Sequence, residues 1–274
     1  MSGGTPATVD LPLRRFDRGS FEERDDALVI EAPLEILLNS EPFSVTMRTP
    51  GQELALVRGL LFTEGVLSSA APFPVTRTAC ERGPWPRALD LEVPPELLSL
   101  DGQERRLISA SSCGLCGKKS WSPLEAAPVA PSAPATVSAS EVLAMQERMR
   151  AKQSTFERSG GTHAAAAFDA QGQLLALAED IGRHNAVDKV VGELLLSGRL
   201  EDAQTLTVSG RVSFEIVSKA AQASFALLIA VSAPSSLAVE LAQQGGITLI
   251  AFCRQGRFNV YSHPERLKES PLGC

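Results

Sequence analysis

Apolar and polar positions alternate with two periods along this chain, and the second half is the more regular. In the first half, Ala27-Leu-Val-Ile30 reads as a short strand. Pro33-Leu-Glu-Ile-Leu-Leu-Asn39 and Pro42-Phe-Ser-Val-Thr-Met47 carry the period of two that turns one face of a strand inward. Asn39-Ser-Glu-Pro42 has turn chemistry and predicts a link between two strands. After Thr49-Pro-Gly51, the stretch Glu53 to Phe62 spaces its apolar residues by three and four, which predicts a helix weakened by Gly59. Residues 1–25 are polar and charged and read as a loose arm or an edge.

In the second half, Ser138-Ala-Ser-Glu141 has capping-box spacing ahead of Val142, Met145 and Met149 on one helical face. His163 to Phe168 and Leu174 to Leu177 flank Asp169-Ala-Gln-Gly172, a hairpin signature. Asn185 is placed to cap a helix that buries Val187, Val190, Val191, Leu194 and Leu195 and stops near Gly198. Strands over Leu206–Ser209, Phe225–Val231 and Ile247–Phe252 then alternate with helices over Phe214–Ala223 and Ser236–Gln244, with an edge strand from Arg257 to Tyr261. Such alternation implies an α/β layer with at least partly parallel strands. The expected organisation is a polar arm over 1–25, a smaller N-terminal α+β domain over 26–135, and an α/β domain over 136–274. The boundary falls in the Ala/Pro tract from Pro123 to Pro134.

Composition narrows the classes. The chain has 274 residues, with 26 Lys+Arg against 32 Asp+Glu and a net charge of −6, the wrong balance for a general nucleic-acid binder. Aromatic residues make up 5% and Tyr261 is the single tyrosine, too few for a base-stacking platform. No apolar run approaches the roughly 18 residues of a membrane span. The first ten residues lack a basic segment followed by an apolar one, so the expectation is a cytoplasmic protein with reduced thiols and no membrane partner.

Of the five cysteines, Cys80, Cys113, Cys116, Cys253 and Cys274, only Cys113 and Cys116 are close in sequence. Gly114 and Gly117 leave that loop unobstructed and predict that it is mobile, and Lys118 and Lys119 favour the thiolate, which is the nucleophile. Three chemistries fit a CxxC pair. Structural zinc needs four ligands, and no second pair of Cys or His follows. A thioredoxin-like dithiol needs a helix after the pair, which the Pro/Ala tract disfavours. A sulfur carrier needs one thiolate to hold sulfane sulfur as a persulfide and a neighbour to assist its release by exchange. Spacing alone does not separate the last two.

A second concentration of chemistry is Glu179-Asp-Ile-Gly-Arg-His-Asn-Ala-Val-Asp-Lys189. Arg183, His184 and Asn185 are predicted near a helix N-terminus, where backbone N–H groups attract anions, and Asp180 and Asp188 are placed to orient His184 or neutralise Arg183. The plainer reading is a capped helix start with salt bridges. Ser209-Gly-Arg-Val-Ser213 and Ser232-Ala-Pro-Ser-Ser236 also follow strands, as does Phe252-Cys-Arg-Gln-Gly-Arg257. Ligands of parallel α/β sheets bind beyond the C-terminal ends of strands. These connections together predict one anion pocket held by Arg183, Arg211, Arg254 and Arg257, with Phe252 able to stack on a ring.

Taken in order, Pro33-Leu-Glu-Ile36, Met47-Arg-Thr-Pro-Gly51, Phe62-Thr-Glu-Gly65, Ser112-Cys-Gly-Leu-Cys-Gly-Lys118, Gly160-Gly-Thr-His-Ala164, Glu179 to Lys189, Ser209 to Glu215 and Ser232 to Ala238 resemble the formate dehydrogenase accessory sulfurtransferase family, FdhD. The resemblance covers about residues 27–265. It implies a sulfur shuttle between a cysteine desulfurase and the molybdenum cofactor, bis-molybdopterin guanine dinucleotide, before that cofactor enters formate dehydrogenase. It implies Cys113 as the persulfide carrier and Cys116 as the assisting thiol. Cofactor binding falls to Phe252, Cys253, Arg254, Gln255, Gly256 and Arg257, with Arg183, His184 and Arg211. It also implies a homodimer and a cytidine-deaminase-like layered core. The zinc chemistry of those deaminases is not expected here, because neither His163 nor His184 begins an H-x-E and Cys113 follows Ser-Ser rather than Pro. Two alternatives stay open: a chaperone that carries the cofactor without transferring sulfur, and a CxxC dithiol oxidoreductase.

Overall fold

The computed structural model describes residues 7–67, 85–99 and 136–268. Cys80, Cys113, Cys116 and Cys274 lie outside the described residues, as does the Pro/Ala tract. The segment from Thr8 to Val29, most of which the sequence marked as a loose arm or an edge, forms a β-hairpin. Strands β1 (Thr8–Asp17) and β2 (Ser20–Val29) pair antiparallel over their whole length. Val9, Leu11 and Leu13 alternate in β1, but both faces of the hairpin are largely solvated.

The next two strands follow the alternation. In β3 (Ala32–Leu38), Ala32, Leu34, Ile36 and Leu38 are buried, and β4 (Glu41–Arg48) pairs with it antiparallel. Asn39 and Ser40 make the turn with positive φ of 53° and 67°. Asn39 tolerates this conformation and its amide exchanges two hydrogen bonds with the backbone of Val93. Helix α1 (Glu53–Thr63) follows, and β5 (Ala88–Leu91) adds to β3 in parallel.

The larger sheet belongs to the second half. A short β6 (Val137–Ser138) runs into α2 (Ala139–Arg150). The Ser138 hydroxyl accepts from the Glu141 N–H and the Ser138 backbone N–H donates to the Glu141 carboxylate, completing the capping box. Helix α3 (Ser154–Ser159) precedes the hairpin β7 (His163–Phe168) and β8 (Leu174–Asp180). Then come α4 (Arg183–Ser197), β9 (Thr205–Val208), α5 (Phe214–Gln222), β10 (Leu227–Ala230), α6 (Ser236–Gln244), β11 (Thr248–Arg254), β12 (Arg257–Val260) and β13 (Leu267–Lys268), which pairs with β6. The six-stranded order is β12-β11-β10-β9-β7-β8, with β9, β10 and β11 parallel.

Side-chain alternation divides this sheet cleanly. Ala165, Ala167, Leu206, Leu228 and Leu249 face α4, α5 and α6, while Ala164, Ala166, Phe168, Leu227, Ile229 and Ile250 face Val142, Met145 and Met149 of α2. The first of these clusters continues through α4 into α1 and on to Leu34, Ile36, Leu89 and Leu91, so one core runs through both halves of the chain. The result is a mixed α/β architecture with six α-helices among the described residues, none long and apolar enough to cross a membrane.

Candidate functional site

Four of the loops singled out in the sequence meet at one edge of the large sheet. Strands β8, β9, β10 and β11 all end there, while β7, antiparallel to β8 and β9, begins there. A row of backbone hydrogen bonds stitches the loops together. Phe252 donates to Ser232, Val212 donates to Ala233, and Ser209 donates to Ala164, whose own N–H reaches the Ser209 hydroxyl. Val212 and Pro234 form a further bridge. The positions of these loops are therefore fixed by the sheet and by one another.

Beside this edge lies a cleft of about 480 Å³, within the range of small-ligand sites. Met149, Arg150 and Gln153 of α2 and the turn after it, with Phe156 of α3, make one wall. Thr162, His163, Ser209, Val231, Arg254 and Gln255 make the other. Arg254 and Gln255 of the C-terminal loop therefore line the cleft. Gly256 and Arg257 continue the exposed turn, where Gln255 and Gly256 take φ of 53° and 73°. Phe252 also has positive φ, 54°, at a bulge where β11 slips register against β12 between Ala251 and Arg254. The extra residue puts Ala251 and Phe252 on the same face of the strand. Phe252 packs on the large core there, and the Cys253 side chain turns the opposite way, into the α2 cluster. Burial pushes the Cys253 thiol up to about 11. Any share of Cys253 in ligand binding is thus confined to its backbone.

The Glu179 to Lys189 cluster divides into two jobs. Most of it holds the structure together. Glu179 accepts hydrogen bonds from Thr155 and Phe156 at the start of α3 and from the Thr162 hydroxyl. Asp180, fully buried, pairs with Lys189 at 2.8 Å and accepts from the N–H groups of Thr49 and Gly182. Lys189 also reaches the Thr49 carbonyl. Asp188 pairs with Lys219 of α5. Asn185 does not cap α4, whose N-cap is Gly182; its amide donates to Met47 and Asp180, tying the helix to β4. Neither Asp180 nor Asp188 orients His184. That ring lies 2.9 Å, Nε2 to Oε2, from Glu215, the second residue of α5. Glu215 stood inside a quoted segment, yet nothing in linear spacing indicated this pairing across two helices.

With the carboxylates so engaged, the arginines at the sheet edge stand apart. Arg183, Arg211, Arg254 and Arg257 have no salt bridge among the described residues, and the buried Nε of Arg183 has no hydrogen-bond partner there. Partial burial lowers the His163 pKa, and Arg183 and His184 of α4 and Arg211 of the β9–α5 loop lie close enough to lower it further. Of these four, Arg254 lines the cleft, Arg183 and Arg211 stand near His163 on its wall, and Arg257 lies outside the lining; uncompensated guanidinium groups so placed can attract an anion even in an acidic protein. His163 belongs to this group, although its sequence context marked no binding role, only a place at the start of a strand and in a segment carrying the family resemblance.

Comparison with known proteins matches this architecture. The chain is 42% identical over 262 residues to "Sulfur carrier protein FdhD" of Streptomyces avermitilis, covering 92% of this chain and 93% of that protein. It is 42% identical over 273 residues to the protein of that name from Mycobacterium tuberculosis, covering 95% and 99%. A crystal structure of a formate dehydrogenase accessory protein from Desulfotalea psychrophila superposes with a TM-score of 0.73 at 25% identity, over 96% of this chain and all of that one. The model of the FdhD/NarQ family matches residues 29–268, and the chain belongs to that family.

Proposed function

We propose that the protein is a sulfur carrier in the maturation of formate dehydrogenase. In this reading Cys113 takes sulfane sulfur from a cysteine desulfurase and passes it to the bis-molybdopterin guanine dinucleotide molybdenum cofactor, its bound substrate, in the cytoplasm and as a homodimer. The observation that carries the reading is the pairing of a Cys113-x-x-Cys116 motif with full-length relatives named as sulfur carriers. The six-stranded sheet serves as the cytidine-deaminase-like scaffold, and the strand-end arginines hold the phosphates of the substrate.

The Cys113–Cys116 pair balances the chemistry with an external persulfide donor and an external dithiol reductant. The Cys113 thiolate attacks the outer sulfur of the donor's persulfide, forming the Cys113 persulfide and releasing the donor thiolate. Attack by Cys116 on the inner sulfur then forms a Cys113–Cys116 disulfide and releases hydrosulfide, the two electrons coming from the thiol pair. A dithiol reductant restores the pair. Incubation with a cysteine desulfurase and cysteine, followed by intact mass measurement, is expected to add sulfur to the wild type and none to Cys113→Ala. Addition to a different thiol overturns the assignment.

The cleft geometry also ranks the two arginines of the C-terminal loop. Arg254 lines the cleft and Arg257 does not. Calorimetry with guanosine diphosphate is expected to show Arg254→Ala weakening binding about tenfold, equivalent to about 1.4 kcal/mol, and Arg257→Ala weakening it less. Equal effects, or none, would move the anion site away from this cleft.

A further inference from the structure

His163 opens β7 and lines the cleft beside Ser209 and Arg254. Neither ring nitrogen of His163 has a hydrogen-bond partner among the described residues. The other two histidines each lie beside a carboxylate, His184 Nε2 at 2.9 Å from Glu215 and His263 Nδ1 at 3.1 Å from Glu265. The surroundings of His163 are cationic. Arg183 and His184 face it from α4, Arg211 faces it from the β9–α5 loop, and Arg254 lines the same cleft from β11. The missing side chain at Gly210 permits this crowding: a Cβ there would lie 3.3 Å from His163 Nδ1 and 3.5 Å from Arg183 Cβ. The acidic group that acts on His163 is Asp180 of β8, already engaged by Lys189, Asn185 and Gly182. Glu179 of β8 is turned to α3, and Glu215 of α5 is turned to His184.

We propose that His163 is a proton-linked phosphate-binding residue: when a pyrophosphate group enters the cleft, the neutral imidazole takes one proton from the solvent and becomes a cationic donor to it. The inference rests on the anion-binding reading of this cleft and adds a residue and a proton to it. In the empty site, burial and the charges of Arg183, His184 and Arg211 hold His163 below the ordinary value of 6.5, so the ring is neutral near pH 7. A bound polyphosphate places negative charge beside the ring and offsets the charges of its cationic neighbours, while the upward pull of Asp180 and the burial stay as they were. One proton moves from buffer to ring nitrogen, and no other bond changes. The gain is selectivity by charge: a fourth fixed cation would add repulsion to the empty cluster, whereas this one arises only on occupancy. Because the bound form has the higher pKa, affinity rises as pH falls through the window between the empty and occupied values, and the gain is complete below it.

The test is calorimetry of guanosine diphosphate and of inorganic pyrophosphate near pH 7, in two buffers of different ionisation enthalpy. The wild type is expected to show a heat that varies with the buffer's ionisation enthalpy, with a slope that reports net proton uptake, for both ligands. His163→Gln is expected to bind with that dependence removed. NMR titration of the three histidine rings gives a second reading without mutation, in which the His163 ring alone shifts its midpoint upward on addition of pyrophosphate. Binding heat with no buffer dependence in the wild type, or uptake that survives in His163→Gln, overturns the inference and leaves the anion site standing. Absence of binding heat for both ligands at millimolar concentration overturns the inference together with the anion-site reading beneath it.

Discussion

A single methyl group added at Gly59 or at Gly192 is expected to destabilise the protein by about 3 kcal/mol or more, even though alanine is the better helix former. Helices α1 and α4 cross with their backbones in contact. A Cβ at Gly59 would lie 1.8 Å from the Asp188 carbonyl oxygen, and a Cβ at Gly192 would lie 1.8 Å from the Ala55 carbonyl oxygen. Both obstructing atoms are backbone atoms of a helix, so no side chain can swing away to make room. To restore ordinary contact the helices must separate by more than an ångström, and the core between them opens at Leu56, Val57, Val187, Val190 and Val191. Against this, the intrinsic preference of alanine over glycine in a helix returns only about 1 kcal/mol. For a chain of this size, such a loss lowers the melting temperature by on the order of 10 °C. Thermal and urea unfolding of Gly59→Ala and Gly192→Ala would measure it. Wild-type stability in either variant would mean that the two helices do not meet as described.

The same glycine shows what the sequence conveyed and what it withheld. Its helix was legible from apolar spacing, and Gly59 read as a weakness within it because the partner of a close approach is not written nearby. The α/β half was legible almost throughout. Helix α6 runs over the residues that its pattern marked out, and the Ser138 capping box forms as spaced. These are local signals of period and cap. The N-terminal hairpin escaped although Val9, Leu11 and Leu13 alternate, because that short stripe sits among charged residues and neither face of β1 and β2 is buried. Helix α3 was not anticipated. It has six residues and none is buried, so it carried no apolar stripe. At the site, the convergence of the strand-end loops was legible because topology alone brings them to one edge. Which charges remain free was not legible, since it depends on pairs such as His184 with Glu215 and Asp188 with Lys219, which join residues 31 apart in both cases, as 215 − 184 and 219 − 188. Thr49 illustrates the converse. A segment carrying the family resemblance proves to be structural here, since its N–H, hydroxyl and carbonyl bond Asp180, Ile181 and Lys189.

Lys219→Met is expected to cost about 3–5 kcal/mol at neutral pH, and the deficit is expected to shrink as the solution is acidified. Lys219 donates to Asp188 Oδ1 and Oδ2 at 2.9 and 3.0 Å, to Thr63 Oγ1 at 2.9 Å and to Glu64 Oε1 at 2.9 Å, at the junction of α1, α4 and α5. Burial works against the lysine charge, but Asp188 and Glu64 outweigh it and hold its pKa above the ordinary range. Burial likewise pushes the Asp188 carboxyl up, against the pull of Lys219 and the hydrogen bond from Thr63. Methionine fills much of the volume but removes the cation, which leaves a buried carboxylate with Glu64 beside it. The Asp188 pKa in the folded variant then rises further above its ordinary 3.8. A carboxyl whose folded pKa is raised destabilises most where the unfolded chain is ionised and the folded one must follow, so the deficit is full above the folded pKa and fades as pH falls through it. Asp188→Asn is expected to cost less, about 1–3 kcal/mol, because Lys219 keeps Glu64, whose side chain is 22% exposed and can share the charge with water. Asp188→Leu combined with Lys219→Met removes both charges and is expected to recover more than half of the loss in Lys219→Met. Urea unfolding of the three variants at pH 7 and at pH 5 separates the causes. A deficit in Lys219→Met that is equal at both pH values would trace the loss to packing, and the buried carboxylate would no longer account for it.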